Sequence, residues 1–233
     1  MSKVSKKLQT KQSCKTGVSG SRFIPMLFST PMVQAILNKT KTETRRTQGL
    51  EKVNENPEKW LCKQIKGLIV FTDVLTSEEI LITPKIHQND IIWVRETFQI
   101  TDFLHPSDEN YGYIYKASEN GKNWEENSEN WKWKPSLFMP KDACRILLKC
   151  VSVHAERLQD IDEQSAINEG IERIKEDGML SFRSYAVKYD ACCFPIVSYQ
   201  TLWQKINGRD SWNKNPFVWV YKFERIERPN DFH

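Results

Sequence analysis

Nothing in this chain of 233 residues marks a membrane span, a glycine-rich phosphate loop or a zinc knuckle. Its longest apolar runs, Gly67–Phe71 and Ile91–Val94, fall far short of the ~20 residues that cross a bilayer, so a soluble chain with no membrane partner is expected. There are only nine glycines, and none stands in a G-x-G-x-x-G or P-loop pattern. Helices of regular length between strands are also missing, which argues against a doubly wound parallel sheet. The four histidines (His87, His105, His154, His233) are scattered, and the six cysteines (Cys14, Cys62, Cys144, Cys150, Cys192, Cys193) form no C-x-x-C pair. Neither metal nor any other cofactor is therefore expected. Cys192 and Cys193 are adjacent, a poor geometry for a mutual disulfide, and reduced thiols in a cytoplasmic location are the expectation.

Acid is absent from residues 1–22, which hold Lys3, Lys6, Lys7, Lys11, Lys15 and Arg22. That segment has no apolar core such as a secretory signal needs, and it reads as a disordered basic tail. Of the 34 Lys and Arg residues six lie there, so the remainder is slightly acidic against 30 Asp and Glu. A generally basic nucleic-acid surface is excluded for the folded part, and affinity for phosphate must come from local clusters or from the tail. The whole chain is 39% apolar and 11% aromatic, and 23–228 is long enough for a single domain with its own core.

Along that domain the strand signals outnumber the helical ones. Gly67–Leu75 and Ile80–Ile82 read as a hairpin turning at Ser77-Glu78. Residues 47–66 read as a polar loop with a short helix near Trp60–Ile65. Asn89-Asp90 opens a strand in which Ile91, Trp93 and Arg95 share one face and Ile92, Val94 and Glu96 the other. Tyr111–Ala117, Ala143–Leu158 and Phe217–Ile226 are further strands. Asp160 or Asp162 caps a short helix that Gly170 ends in the left-handed conformation, and Tyr199–Ile206 forms another helix before Asn207-Gly208. Residues 172–197 have no clear pattern. An insertion near 101–134 carries Trp124, Trp131 and Trp133, either as packing anchors or as a wall for stacking bases. The pattern predicts an α+β domain built on a curved or closed sheet.

The densest chemistry lies between Leu27 and Arg46. Thr30 and Pro31 open a helix whose Met32, Val33, Ile36 and Leu37 face a core. After Asn38, threonines alternate with charges in an extended stretch that delivers Lys41, Thr44, Arg45 and Arg46. Read from residue type alone, this tract is either a solvated basic turn or the rim of an anion or polar-ligand site. Trp93 and Arg95 are further ligand candidates, although the Arg95-Glu96 step equally suits a structural ion pair. Glu169 falls in the last turn of its helix, where the macrodipole disfavours an anion by ~0.3–1 kcal/mol. Its placement makes sense if it faces Lys41 or Arg46.

Several phrases together resemble the ASCH domain family. They are K-T-x-T-x-R (Lys41 to Arg46), D-I-x-W-V-R-E (Asp90 to Glu96), P-S-x-x-M-P (Pro135 to Pro140), E-R-L-Q-D-I (Glu156 to Ile161), A-I-x-E-G-I (Ala166 to Ile171), L-W-x-x-I-N-G (Leu202 to Gly208) and N-P-F-V-W-V (Asn215 to Val220). They are most similar to the longer version of that family common in phage and prophage proteins. The resemblance implies a PUA-like β-barrel with short helices around a cleft, in a superfamily that mostly handles RNA or modified bases. Small members hydrolyse the acetyl amide of N4-acetylcytidine. By that resemblance Lys41, Thr44 and Glu169 are the catalytic residues, and Arg46 a neighbouring cation. A lysine serves as base or nucleophile only if burial or nearby cations lower its pKa, and Lys39, Arg45 and Arg46 are the candidates. Lys41 and Thr44 would point to opposite faces of a regular strand, so a turn or bulge is needed to bring them together. Three functions follow: an amidohydrolase of N-acylated pyrimidine nucleosides, a non-catalytic RNA or modified-base reader, or a phage protein that binds a host protein.

Overall fold

The computed structural model describes residues 22–65, 67–100, 112–118, 132–176, 179–187 and 191–232. The basic tail to residue 21 and most of the 101–134 insertion, including Trp124 and Trp131, lie outside the described residues, as do Cys14, His105 and His233. The fold is mixed α+β, with strands in several sheets and four α-helices among the described residues.

The centre is a five-stranded sheet: β1 (Phe23–Leu27), β2 (Glu43–Arg46), β6 (Ile91–Arg95), β9 (Leu147–Arg157) and β13 (Phe217–Ile226), in the order β1-β6-β9-β13-β2. The β1–β6 pair is parallel, and the others are antiparallel. β13 reads F-V-W-V-Y because both of its faces are covered. Phe217, Trp219, Tyr221 and Phe223 enter the main core with Ile24, Ile92, Val94 and Leu148. Val218 and Val220 face a second core. Ile91 and Trp93 enter a third, with Phe98, Tyr115 and Met139. The expected two-face division therefore holds for Ile91 to Val94, whereas Glu96, beyond the strand end, meets Met139 and Arg145 on the side of the third core. A bulge between Lys222 and Phe223 coincides with a hydrogen bond from Phe223 N to the Thr42 carbonyl (2.9 Å).

No closed barrel occurs among the described residues. The edge strands β1 and β2 have no ladder between them, yet they lie close. Arg46 of β2 donates from Nη2 to the Leu27 carbonyl of β1 at 3.2 Å, one side-chain bridge across the opening.

The hairpin of β4 (Leu68–Asp73) and β5 (Glu79–Leu81) forms as expected, with Ser77 in its turn at φ 58°. Residues 60–65 depart from expectation, forming strand β3 (Trp60–Ile65) along β4 rather than a helix. Trp60 is buried against the main core while Leu61 and Ile65 stay exposed. Those outward apolar residues imitate a helical stripe, and long-range pairing overrides it. Upstream of β3 lies the short helix α2 (Glu51–Asn54).

The helix α1 (Thr30–Leu37) is capped by Ser29 rather than Thr30, and neither side chain makes a capping hydrogen bond. Its left-handed residue is Lys39 (φ 60°), with Asn38 at φ −79° as the cap itself. The helix runs through Leu37, so the position after the cap, where left-handed geometry belongs, falls on a lysine. The helix α3 (Glu163–Asn168) is capped by Asp162, whose carboxylate accepts from Ser165 N at 2.6 Å, and Gly170 follows it at φ 85°. The helix α4 (Pro195–Asn207) packs on α3, and Tyr199 and Trp203 fill the second core. The unpatterned 172–197 segment holds a small sheet of β10 (Arg173–Glu176), β11 (Met179–Arg183) and β12 (Ala191–Cys192). No described helix is long and apolar enough to cross a membrane.

Candidate ligand-binding site

Lys41 sits between the end of α1 and the end of α3. Its backbone bridges Glu169, and the amide of Thr42 reaches the Asn168 carbonyl at 2.8 Å. The ammonium then meets three acceptors: Glu169 Oε2 at 2.7 Å, the Glu169 carbonyl at 2.8 Å and the Glu43 carbonyl at 2.8 Å. An ammonium has three donors, so none remains for a ligand in this state. Burial draws the Lys41 pKa below its ordinary value, Glu169 opposes this, and Arg46 and Arg45 reinforce it. Of the cations the sequence offers as neighbours, Arg45 and Arg46 act in this way, and Lys39 is not among the causes.

Glu169 is also held by Arg45 Nη1 at 3.2 Å and by the Tyr199 hydroxyl at 3.4 Å. Its awkward place at the helix end is thus explained by Lys41 and Arg45, with Arg46 making no direct contact. Burial, then the Glu169 carboxylate, holds the Tyr199 phenol well above its usual pKa, so it is a hydrogen-bond donor at neutral pH. Arg45 further donates from Nε and Nη2 to Glu156 Oε1 at 2.9 and 2.7 Å, and Glu156 Oε2 lies 3.2 Å from His154 Nε2. Glu43 closes the network, its Oε1 accepting from Asn168 (3.0 Å) and lying 3.1 Å from Lys222 Nζ. Buried charges are tolerable only when paired in this way.

Thr44 and Arg46 form a separate pair. Arg46 Nη1 donates to the Thr44 hydroxyl at 2.7 Å and to the Arg45 carbonyl at 3.0 Å. The strand alternation therefore persists: Lys41 and Arg45 reach Glu169, while Thr44 holds Arg46. With the Leu27 contact, three of the five guanidinium donors of Arg46 are engaged, and it is in no ion pair among the described residues. Its guanidinium lies 5.3 Å from the Phe28 ring centroid.

A cavity of about 260 Å³ opens beside these groups. Leu27, Met32, Leu202, Trp203 and Ile206 supply apolar walls, and Arg45, Arg46, Glu169 and Tyr199 the charged and polar surface. Lys41 and Thr44 do not line it; each is wholly buried and touches a residue that does. The Trp203 indole N–H is buried and has no partner among the described residues. Trp203, Tyr199 and Glu156 escaped the sequence reading, although Trp203 and Glu156 stand inside the quoted phrases. The only signal for Trp203 was its place in an otherwise amphipathic helix.

Trp93 is 9% exposed and packs in the third core, away from this cavity. Arg95 stacks 5.3 Å from the Trp93 centroid and faces a different cleft. Glu96 pairs with Arg145 through two 2.9 Å hydrogen bonds rather than with Arg95. No group of metal-ligating side chains occurs among the described residues. Comparison with protein-family models, with curated proteins and with solved structures finds no match to this chain.

Proposed function

We propose that the cavity binds a pyrimidine base, presented as a free nucleoside or within RNA. The observation that carries this reading is a small apolar cavity that holds Arg46 and Glu169, with Trp203, whose indole N–H is unpartnered among the described residues, in its wall. A buried donor left unpaired costs ~1–3 kcal/mol, which a carbonyl acceptor on a ligand removes. A cytosine ring offers carbonyl and ring-nitrogen acceptors for such donors, an exocyclic amine for a carboxylate, and flat faces for apolar walls. The volume of about 260 Å³ lies just under the ~300–1,000 Å³ of drug-sized ligand sites, in keeping with one ring system. Membership of the ASCH family, with a PUA-like relationship, belongs to the same proposal. A strongly curled sheet whose edges are bridged at the cavity supports it.

Hydrolysis of an N-acyl amide is the second reading, favoured by the 2.7 Å contact between Lys41 and a carboxylate that lines the cavity. In it, water adds to the acyl carbon and gives its proton to Glu169, and a spare N–H of Arg46 meets the oxyanion. Glu169 then returns the proton to the departing amine, yielding the free acid and the 4-amino pyrimidine. Lys41 and Thr44 act as positioning residues, one for Glu169 and the other for Arg46.

Calorimetric titration with cytidine and N4-acetylcytidine, combined with an assay for released acetate, tests both. Failure of either compound to bind overturns the base-binding reading. Binding without acetate release overturns hydrolysis and leaves a non-catalytic reader.

A further inference from the structure

A second cleft of about 350 Å³ lies on the other side of the Arg46–Leu27 bridge, and both residues line it as well. Among the described residues its charged lining is Arg46, Lys85 and Arg95, with Gln48 beside them and no carboxylate. Arg95 donates from Nη2 to the Leu137 carbonyl, but its Nε is buried with no partner among the described residues. Arg95 shares the cleft with two further cations, and an acceptor with several oxygens is the complement of that lining.

We infer that this cleft is a phosphate subsite, so that the molecule's ligand is a nucleotide unit, with the base on one side of Leu27 and the phosphate on the other. This rests on the base-binding reading for the first cavity. Arg46 serves both sides, since its unused donors sit on the residue that separates them. Arg95 and Lys85 are specific to the phosphate. The same chemistry is offered by a free nucleotide and by a strand of RNA.

Titrations with cytidine, cytidine 5′-monophosphate, inorganic phosphate and a cytidine trinucleotide test the inference on the full chain. The monophosphate is expected to bind about tenfold more tightly than cytidine, as for one added charge-assisted contact set. Arg95→Gln and Lys85→Gln each narrow that ratio, and Lys85 is exposed, so its replacement leaves the core untouched. Equal affinities of cytidine and its monophosphate in the unaltered protein, or a ratio unchanged in both variants, overturn the subsite while the base cavity stands. Binding of inorganic phosphate that weakens in Arg95→Gln, with no binding of cytidine, does the reverse: the subsite survives and the base reading falls. Tighter binding of the trinucleotide than of the monophosphate assigns the subsite to a strand, and weaker binding assigns it to a free nucleotide.

Discussion

A Cβ placed on Gly170 would lie 2.8 Å from the Cβ of Lys41, and 2.9 Å from that of Ala35. Gly170 also has φ 85°, so its lack of a side chain serves both the helix exit and the seating of Lys41 against Glu169. Gly170→Ala is expected to destabilise the fold by roughly 2 kcal/mol or more through left-handed strain and overpacking. Denaturant unfolding measures this, and a loss below half that value refutes the tight seating.

The end of α1 offers the opposite test. Lys39 adopts φ 60° where glycine is the usual residue, so Lys39→Gly is expected to stabilise by up to about 1 kcal/mol. A destabilised variant would mean that the lysine side chain has contacts that outweigh its backbone strain.

Lys41 and Arg46 should fail in different ways. Lys41→Met leaves Glu169 buried with Arg45 and Tyr199 alone, and a loss near the lower end of ~3–5 kcal/mol is expected. Replacing Lys41 and Glu169 together by apolar residues should recover part of it, which a double-mutant cycle measures. Arg46→Ala is expected to lower cytidine affinity by at least about tenfold, because it removes a charged donor from the cavity.

Trp203→Phe keeps an aromatic wall and deletes the unpartnered N–H. Cytidine affinity should fall about three- to tenfold with little change in melting temperature. An unaltered affinity would show that the indole nitrogen has no part in recognition.

Acid should act on the hairpin. The Lys59 ammonium, 2.8 Å from Asp73 Oδ2, together with the Leu75 and Thr76 amides, holds the Asp73 carboxyl well below the usual aspartate range. A depressed folded-state pKa adds stability that is complete above the unfolded value of ~3.9 and fades as pH falls toward the folded value. Asp73→Asn should therefore be less stable than the parent at pH 7, with the gap closing below about pH 4. A gap that stays constant from neutral to strongly acidic pH in urea titrations would contradict the assignment.

Much of this was legible in the residues because local and global signals agreed. Phe217–Ile226 opened after Asn-Pro and alternated large aromatics with branched aliphatics, and it became the strand that the main and second cores share. Glu169 stood out as an anion at the wrong helix end, and the compensating cations were found there. Trp60–Ile65 misled because Leu61 and Ile65, four apart, suit one face of a helix as well as one face of a strand, and only pairing with β4 determines it. Among the described residues no barrel closes, and whether the edges β1 and β2 pair has no signature in either strand. The cavity walls were hidden for a similar reason: Trp203 and Tyr199 look like any buried helical aromatics until α4 is docked.

The Arg46–Leu27 bridge makes the seam of the curled sheet a side-chain fastening rather than a ladder. Such a fastening opens locally at a far lower cost than a row of paired amides. Arg46 and Leu27 line both cavities, so a ligand of the proposed kind on either flank would bear on this fastening.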